Sequence, residues 1–207
     1  MAIIGIKHLV YAPITNYTVG SAPTYGAGAI LSKITKADKS PNVSDAAFYA
    51  DDCKVEEDHT VTDGTITIGV ADLSQDVQKG IFGNTVETEA TIKVLTKAVD
   101  DVAPYVGVGY IIPKKVNGSR IFEATWLYRV MFKEPSKSAE TKGETLSFQG
   151  QEIEGSFSAV EGWKGGAYES TAEFPTEAAA ITWLNGKANV SGVAAASAPA
   201  TQSTGNK

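Results

Sequence analysis

The run Ile121 to Lys133, IFEATWLYRVMFK, limits the possible folds of this chain more than any other stretch. Phe122, Ala124, Trp126, Tyr128, Val130 and Phe132 recur at every second position, with Glu123, Thr125, Arg129 and Lys133 on the alternate side. A helical period would scatter these apolar residues around the whole circumference, whereas a strand puts them on one face. Such a strand needs a sheet to sit in and a second layer to cover its apolar face. Just upstream, Asn117-Gly118 signals a tight turn, because both residues tolerate positive φ. Before the turn lies Pro104 to Pro113, PYVGVGYIIP, apolar and bounded by proline at both ends, so the two runs read as a hairpin.

More strand signals follow the same logic. His8 to Ala12 is a short β-rich run ending at Pro13. Thr65 to Ala71 alternates, with Ile66, Ile68 and Val70 on one side, and Asp63-Gly64 reads as the turn before it. Leu146 to Val160 gives another long strand, or two broken near Gly150. Two segments read as helices. In the first, Asp72 can cap and Gln75 can reach back; Leu73, Val77 and Ile81 share a face and Gly83 ends the helix. Gly80 inside it costs about 1 kcal/mol relative to alanine. The second runs from Thr176 to Gly186 with a stripe of Ala180, Ile181 and Leu184. Asn16 to Gly28, Lys36 to Asp63 and Pro135 to Glu144 read as loops. Ala188 to Lys207 is rich in Ala, Ser, Gly and Thr and too poor in large apolar groups to order itself. The expected organisation is a β-domain over residues 1–187 and a flexible tail over 188–207.

Charge and composition narrow the function. The net charge of −6 argues against electrostatic affinity for nucleic acid or an anionic membrane. One cysteine, Cys53, supports neither a disulfide framework nor a Cys-rich zinc site. No apolar run approaches the roughly 20 residues of a membrane span. The segment from Met1 to Ile14 lacks a basic start and a small-residue cleavage site, so the expectation is a protein folded in a reducing compartment.

No stretch carries recognisable catalytic chemistry. His8 opens a strand and His59 sits among acids, and neither has a nucleophile at a telling spacing. Gly107-Val108-Gly109 lacks the third glycine and the helix of a dinucleotide fingerprint, and GWKGG, Gly162 to Gly166, reads as a turn. Asp45, Asp51, Asp52, Glu56, Glu57 and Asp58, against Lys54, fit no EF-hand or zinc spacing. They read as a solvated loop or a subunit contact, and Tyr49, Asp51, Asp52, Glu56, Glu57 and Asp58 are the candidate contact residues. The expectation is a protein that works by assembling, with no enzymatic activity, no cofactor and no metal.

Several stretches, in order, carry a resemblance. These are Lys7 to Ala12 (KHLVYA), the Tyr25-Gly26 loop, Tyr49 to Asp52 (YADD), Thr65 to Ala71, the Ala71-Asp72-Leu73 helix start, the Gly107/Gly109 strand, and WLYRVMFKEP with SAETKG, Trp126 to Gly143. Together they resemble the major tail tube proteins of long, non-contractile-tailed (siphovirus-type) bacteriophages of Gram-positive hosts, across roughly Ile6 to Lys187. The resemblance implies a mainly β fold, a β-sandwich or β-barrel with one flanking α-helix and a second short C-terminal helix. It implies hexameric rings stacked into a tube, the conduit for DNA ejection. The implied partners are further copies of the chain, tail tip or initiator and terminator proteins, and the tape measure protein and phage DNA in the lumen, without tight binding or membrane insertion. The implied location is the virion tail, assembled in the host cytoplasm. Another virion β-domain, for decoration or receptor binding, and a small β-sandwich hydrolase are the alternatives.

Overall fold

The computed structural model describes residues 2–50, 53–136 and 150–190. In chain order the elements are β1 (Ala2–Ile3), β2 (Lys7–Asn16), β3 (Thr24–Tyr25), β4 (Ala29–Ser32), β5 (Ile34–Ala50), β6 (Cys53–Val70), α1 (Gln75–Phe82), β7 (Thr85–Glu89), β8 (Ile92–Thr96), β9 (Val106–Val116), β10 (Ser119–Phe132), β11 (Gln151–Ser158), β12 (Glu169–Phe174) and α2 (Glu177–Ala188). Ten strands form one antiparallel sheet in the order β3-β2-β9-β10-β11-β6-β5, with β1 beside β9, β12 beside β10 and β4 beside β2. The strands β7 and β8 pair separately.

The domain is therefore mainly β with two helices, but among the described residues its sheet is open and no barrel closes. The reason lies at β5. The segment from β4 to β5 touches both sides of the sheet, since β4 pairs with β2 and β5 pairs with β6, with Lys33 between them. Beyond that point β5 runs outward with β6 instead of returning to β2.

The β9–β10 hairpin forms as expected. Asn117 and Gly118 have φ of 48° and 87°, and Val116 pairs with Ser119 across the two-residue turn. The single apolar face expected for β10 does not survive. Phe122, Ala124, Trp126 and Tyr128 join one core cluster with Val10, Ala12 and Ile111. Val130 and Phe132 join the other, the first core of the domain, with Leu9, Tyr11, Ile66, Ile68 and Phe157, the Val10 cluster being the second core. A register shift between Leu127 and Val130 inverts the side-chain alternation, as an extra residue in a ladder must. Leu127 and Thr125 are buried too, so β10 is covered on both faces.

Each face has its helix. The α1 helix covers the first core with Val77, Ile81 and Phe82, and Leu73 packs just ahead of it. Its N-cap is Ser74, whose hydroxyl accepts from Val77 N at 3.4 Å, rather than Asp72, whose carboxylate accepts from Leu73 N at 2.8 Å. Gly83 ends the helix in the left-handed region, as expected. The α2 helix, capped by Thr176, covers the second core with Ala180, Leu184 and Ala188. It extends past Gly186 to Ala188, which is fully buried, and Asn189 follows as a left-handed cap.

Three further expectations change. Asp63-Gly64 is not a turn but lies within β6, paired with β11 and β5. Neither Pro13 nor Pro113 ends its strand. Each contributes its carbonyl instead, Pro13 O accepting from Gly26 N at 2.8 Å and Pro113 O from Ile4 N at 2.9 Å. Lys36 to Asp63 is no loop but most of the β5–β6 hairpin. Residues 146–149 of the expected long strand, 137–144 of the expected loop and 191–207 of the expected tail lie outside the described residues.

Candidate functional site

The ladder between β6 and β11 spans Asp63 to Val70 only. From Cys53 to Thr62, β5 is the one strand laddered to β6 among the described residues, in a register that carries Val43 opposite Val61 and Ala50 opposite Cys53. These residues make a two-stranded arm that leaves the body of the sheet. At about 3.3 Å per residue it reaches roughly 30 Å. Pro41 to Asp45, Thr60 and Thr62 are exposed, and Val43 is 49% exposed. Pro41, opposite Gly64, marks its base, and β5 is an edge strand among the described residues, where proline is tolerated.

The arm collects the candidate contact residues. Tyr49 pairs with Lys54, Glu56 with Phe48, Glu57 with Ala47 and Asp58 with Ala46; for Tyr49, Glu56 and Asp58 the backbone alone is described. Asp51 and Asp52, at the hairpin end, lie outside the described residues. Glu57 is the one whose side-chain surroundings are known. It pairs with Lys54, and its Oε1 lies 3.6 Å from His59 Nε2. The other ring nitrogen, Nδ1, lies 2.6 Å from Asp45 Oδ1, directly across the ladder. His59 thus bridges two exposed carboxylates on the two strands. Among the described residues no group of three or more His, Cys, Asp or Glu could hold a metal ion.

The other histidine has a structural setting. His8 has φ of 56° at a bulge in β2, and its Nε2 lies 3.0 Å from Oδ1 of Asn185 on α2. Beside it Lys7 Nζ pairs with Glu177 Oε2 at 2.6 Å. Both contacts fasten α2 to the start of β2. Gly107 and Gly109 lie within β9 against the Trp126 ring, and Gly162, Lys164, Gly165 and Gly166 all have positive φ in the turn expected there. Burial raises the phenol pKa of Tyr25 and Tyr110 well above the ordinary tyrosine range, so both remain neutral hydrogen-bonding groups. Tyr25 Oη donates to Tyr128 O at 2.8 Å and accepts from Trp126 Nε1 at 3.3 Å, which ties β3 to β10.

Sequence reasoning missed two cationic features. Arg129 stacks between Tyr105 and Tyr17, 3.9 Å and 4.9 Å from the ring centroids, with no ion pair among the described residues. Lys115 and Arg120 stand directly opposite each other near the β9–β10 turn. The second was readable in principle, because a two-residue turn at Asn117-Gly118 fixes that register. The first brings together residues far apart in the chain and left no local signal.

No helix among the described residues is long and apolar enough to cross a membrane. No family model matches the chain, and no curated protein matches its sequence.

Proposed function

We propose that this chain is a structural subunit that polymerises into stacked hexameric rings, forming a phage tail tube through which DNA is ejected. The observation that carries the reading is the arm. A two-stranded ribbon is at best marginally stable alone in water, and here about 30 Å of it extends past the end of the β6–β11 ladder with no third strand beside it among the described residues. Such an arm is stabilised when a neighbouring subunit covers it.

Three features agree with this reading. The body is a compact β domain covered by a helix on each face, with β5 free along its outer edge. A short bridging segment at Lys33 could complete a barrel by chain continuity rather than by a ladder. The net charge of −6 suits a conduit, because Coulomb repulsion keeps phosphates from adhering to its wall. Contacts that repeat head to tail give rings where the rotation closes and filaments where it does not.

The experiment is size-exclusion chromatography followed by negative-stain electron microscopy of concentrated protein. Rings or tubes of uniform diameter are expected. A strict monomer at every soluble concentration, together with absence from purified virion tails, would defeat the reading.

A further inference from the structure

Lys115 and Arg120 are directly opposed on one face of the β9–β10 hairpin, both exposed and neither in an ion pair among the described residues. Like charges facing each other across a ladder destabilise it. Glu123 and Glu173, the like charges opposed across β10 and β12, share Lys114 as a counter-ion, whereas Lys115 and Arg120 have none among the described residues. On the face of Lys115 and Arg120 the next cross-strand pair is Pro113 and Phe122, and with Ile4, Gly5, Ile6 and Lys7 they line a groove of about 210 Å³. Ile4 is 50% exposed at its edge. Lys7 closes the far side, its ammonium 5.5 Å from the Phe122 ring centroid. The site is thus an apolar floor with Arg120 on its rim and Lys115 beside Arg120, while the charge of Lys7 is already met by Glu177. It is smaller than the roughly 300 Å³ at which small-molecule pockets begin, and better matched to one anchoring side chain.

We propose that this groove receives the acidic arm of a second copy of the chain. The proposal rests on the assembly reading above and names the receiving surface. Charge complementarity selects the occupant. Over residues 42–62 the sequence sets Asp45, Asp51, Asp52, Glu56, Glu57 and Asp58 against Lys54 alone, interleaved with Val43, Phe48, Tyr49 and Val55. A segment of acids and apolar groups matches a groove of cations and apolar groups. Groove and arm are different surfaces of one chain, so the contact is heterologous and each docked copy leaves one arm and one groove free for the next.

Two full-length variants test it. One reverses the groove, Lys115→Glu with Arg120→Glu. The other reverses the arm, Asp45→Lys, Glu56→Lys, Glu57→Lys and Asp58→Lys. Circular dichroism melting confirms that each is folded, and Lys115→Gln with Arg120→Gln serves as the milder groove variant. Analytical ultracentrifugation reads assembly. Each reversal alone should raise the concentration for half-assembly about tenfold or more. An equimolar mixture should assemble again, because each acidic element then meets a basic one on the other variant. A groove variant that assembles like the wild type, or folded variants that fail to complement, overturns this inference while leaving the assembly reading intact. A wild type that never assembles overturns both. Salt-dependent capture of duplex DNA by the wild type, lost in the groove variant, assigns the groove to phosphate and overturns the arm as its occupant.

Discussion

Gly80 lies beneath Tyr11: a Cβ built on it would stand 2.4 Å from the phenol oxygen and 3.0 Å from two ring carbons. Tyr11 is 7% exposed, at the heart of the first core, and its ring has little room to swing away. Helix propensity alone says that Gly80→Ala should stabilise by about 1 kcal/mol. The packing reverses the sign, with an expected loss of about 1–3 kcal/mol. In a Tyr11→Phe background the closest contact is gone and the penalty of adding the methyl should shrink. Urea unfolding of the four chains measures both effects, and a rise in midpoint for Gly80→Ala alone would contradict the packing.

The arm should be separable from the body. Replacing residues 43–62 by Asn-Gly joins Asn42 to Asp63, which already face each other across the ladder. The described side chains of the arm are exposed apart from the half-buried Val61, so the melting temperature should move by no more than about 2 °C. Assembly should be abolished. Tubes of normal appearance from the shortened chain would remove the arm from the interface.

Lys114 and Glu123 form an ion pair with side chains only 14% and 17% exposed. Lys114→Met leaves the Glu123 carboxylate largely out of water with its main partner gone, at an expected cost of about 1–3 kcal/mol. Adding Glu123→Leu should recover most of that loss, since a desolvated pair and an apolar pair of similar volume differ little. A double-mutant cycle checks it, and additive losses would show that the two charges act independently.

Asp101 supplies the pH dependence. Its Oδ2 accepts from Ala98 N at 2.9 Å and from Asn84 Nδ2 at 3.1 Å. The Ala98 N–H first, and the Asn84 amide second, hold its pKa below the ordinary value of 3.8. Folding therefore favours the carboxylate. The stabilisation is fully present above the unfolded pKa and lost as pH falls through the lower folded one. Wild type and Asp101→Asn should differ most at pH well above the ordinary value of 3.8 and converge as pH falls through the lower folded pKa. A difference that persists unchanged at low pH would mean that the charge is not what holds the loop.

Legibility in the sequence followed burial. Ile66, Ile68 and Val70 alternate because only one of their faces meets the core, and their strand was plain. Asn117-Gly118 announced its turn because the backbone geometry demands those residues. The arm was read as a loop for the opposite reason. A ribbon outside the core needs no apolar alternation, and the sequence from Asp45 to Asp58 carries charge where a buried strand would carry a pattern. Its acids were nonetheless singled out as contact residues, since charge is visible without knowing the fold. The inversion after Tyr128 was hidden because β10 is apolar on both sides of the bulge, and alternation alone does not say which layer receives Val130. Gly64 read as punctuation, yet it is glycine because a Cβ there would come within 2.3 Å of the Phe157 ring.

The bulge in β10 has a thermodynamic consequence. One continuous strand holds Trp126 in the layer under α2 and Val130 in the layer shared with α1. Neither layer can come apart without pulling on backbone that the other holds in place. The two should therefore behave as one cooperative foldon, with the Trp126 and Val130 amides exchanging hydrogen at a common opening free energy close to that of global unfolding. If the chain builds a tube as proposed, resistance to axial load then belongs to the whole body at once, with no weaker half to yield first.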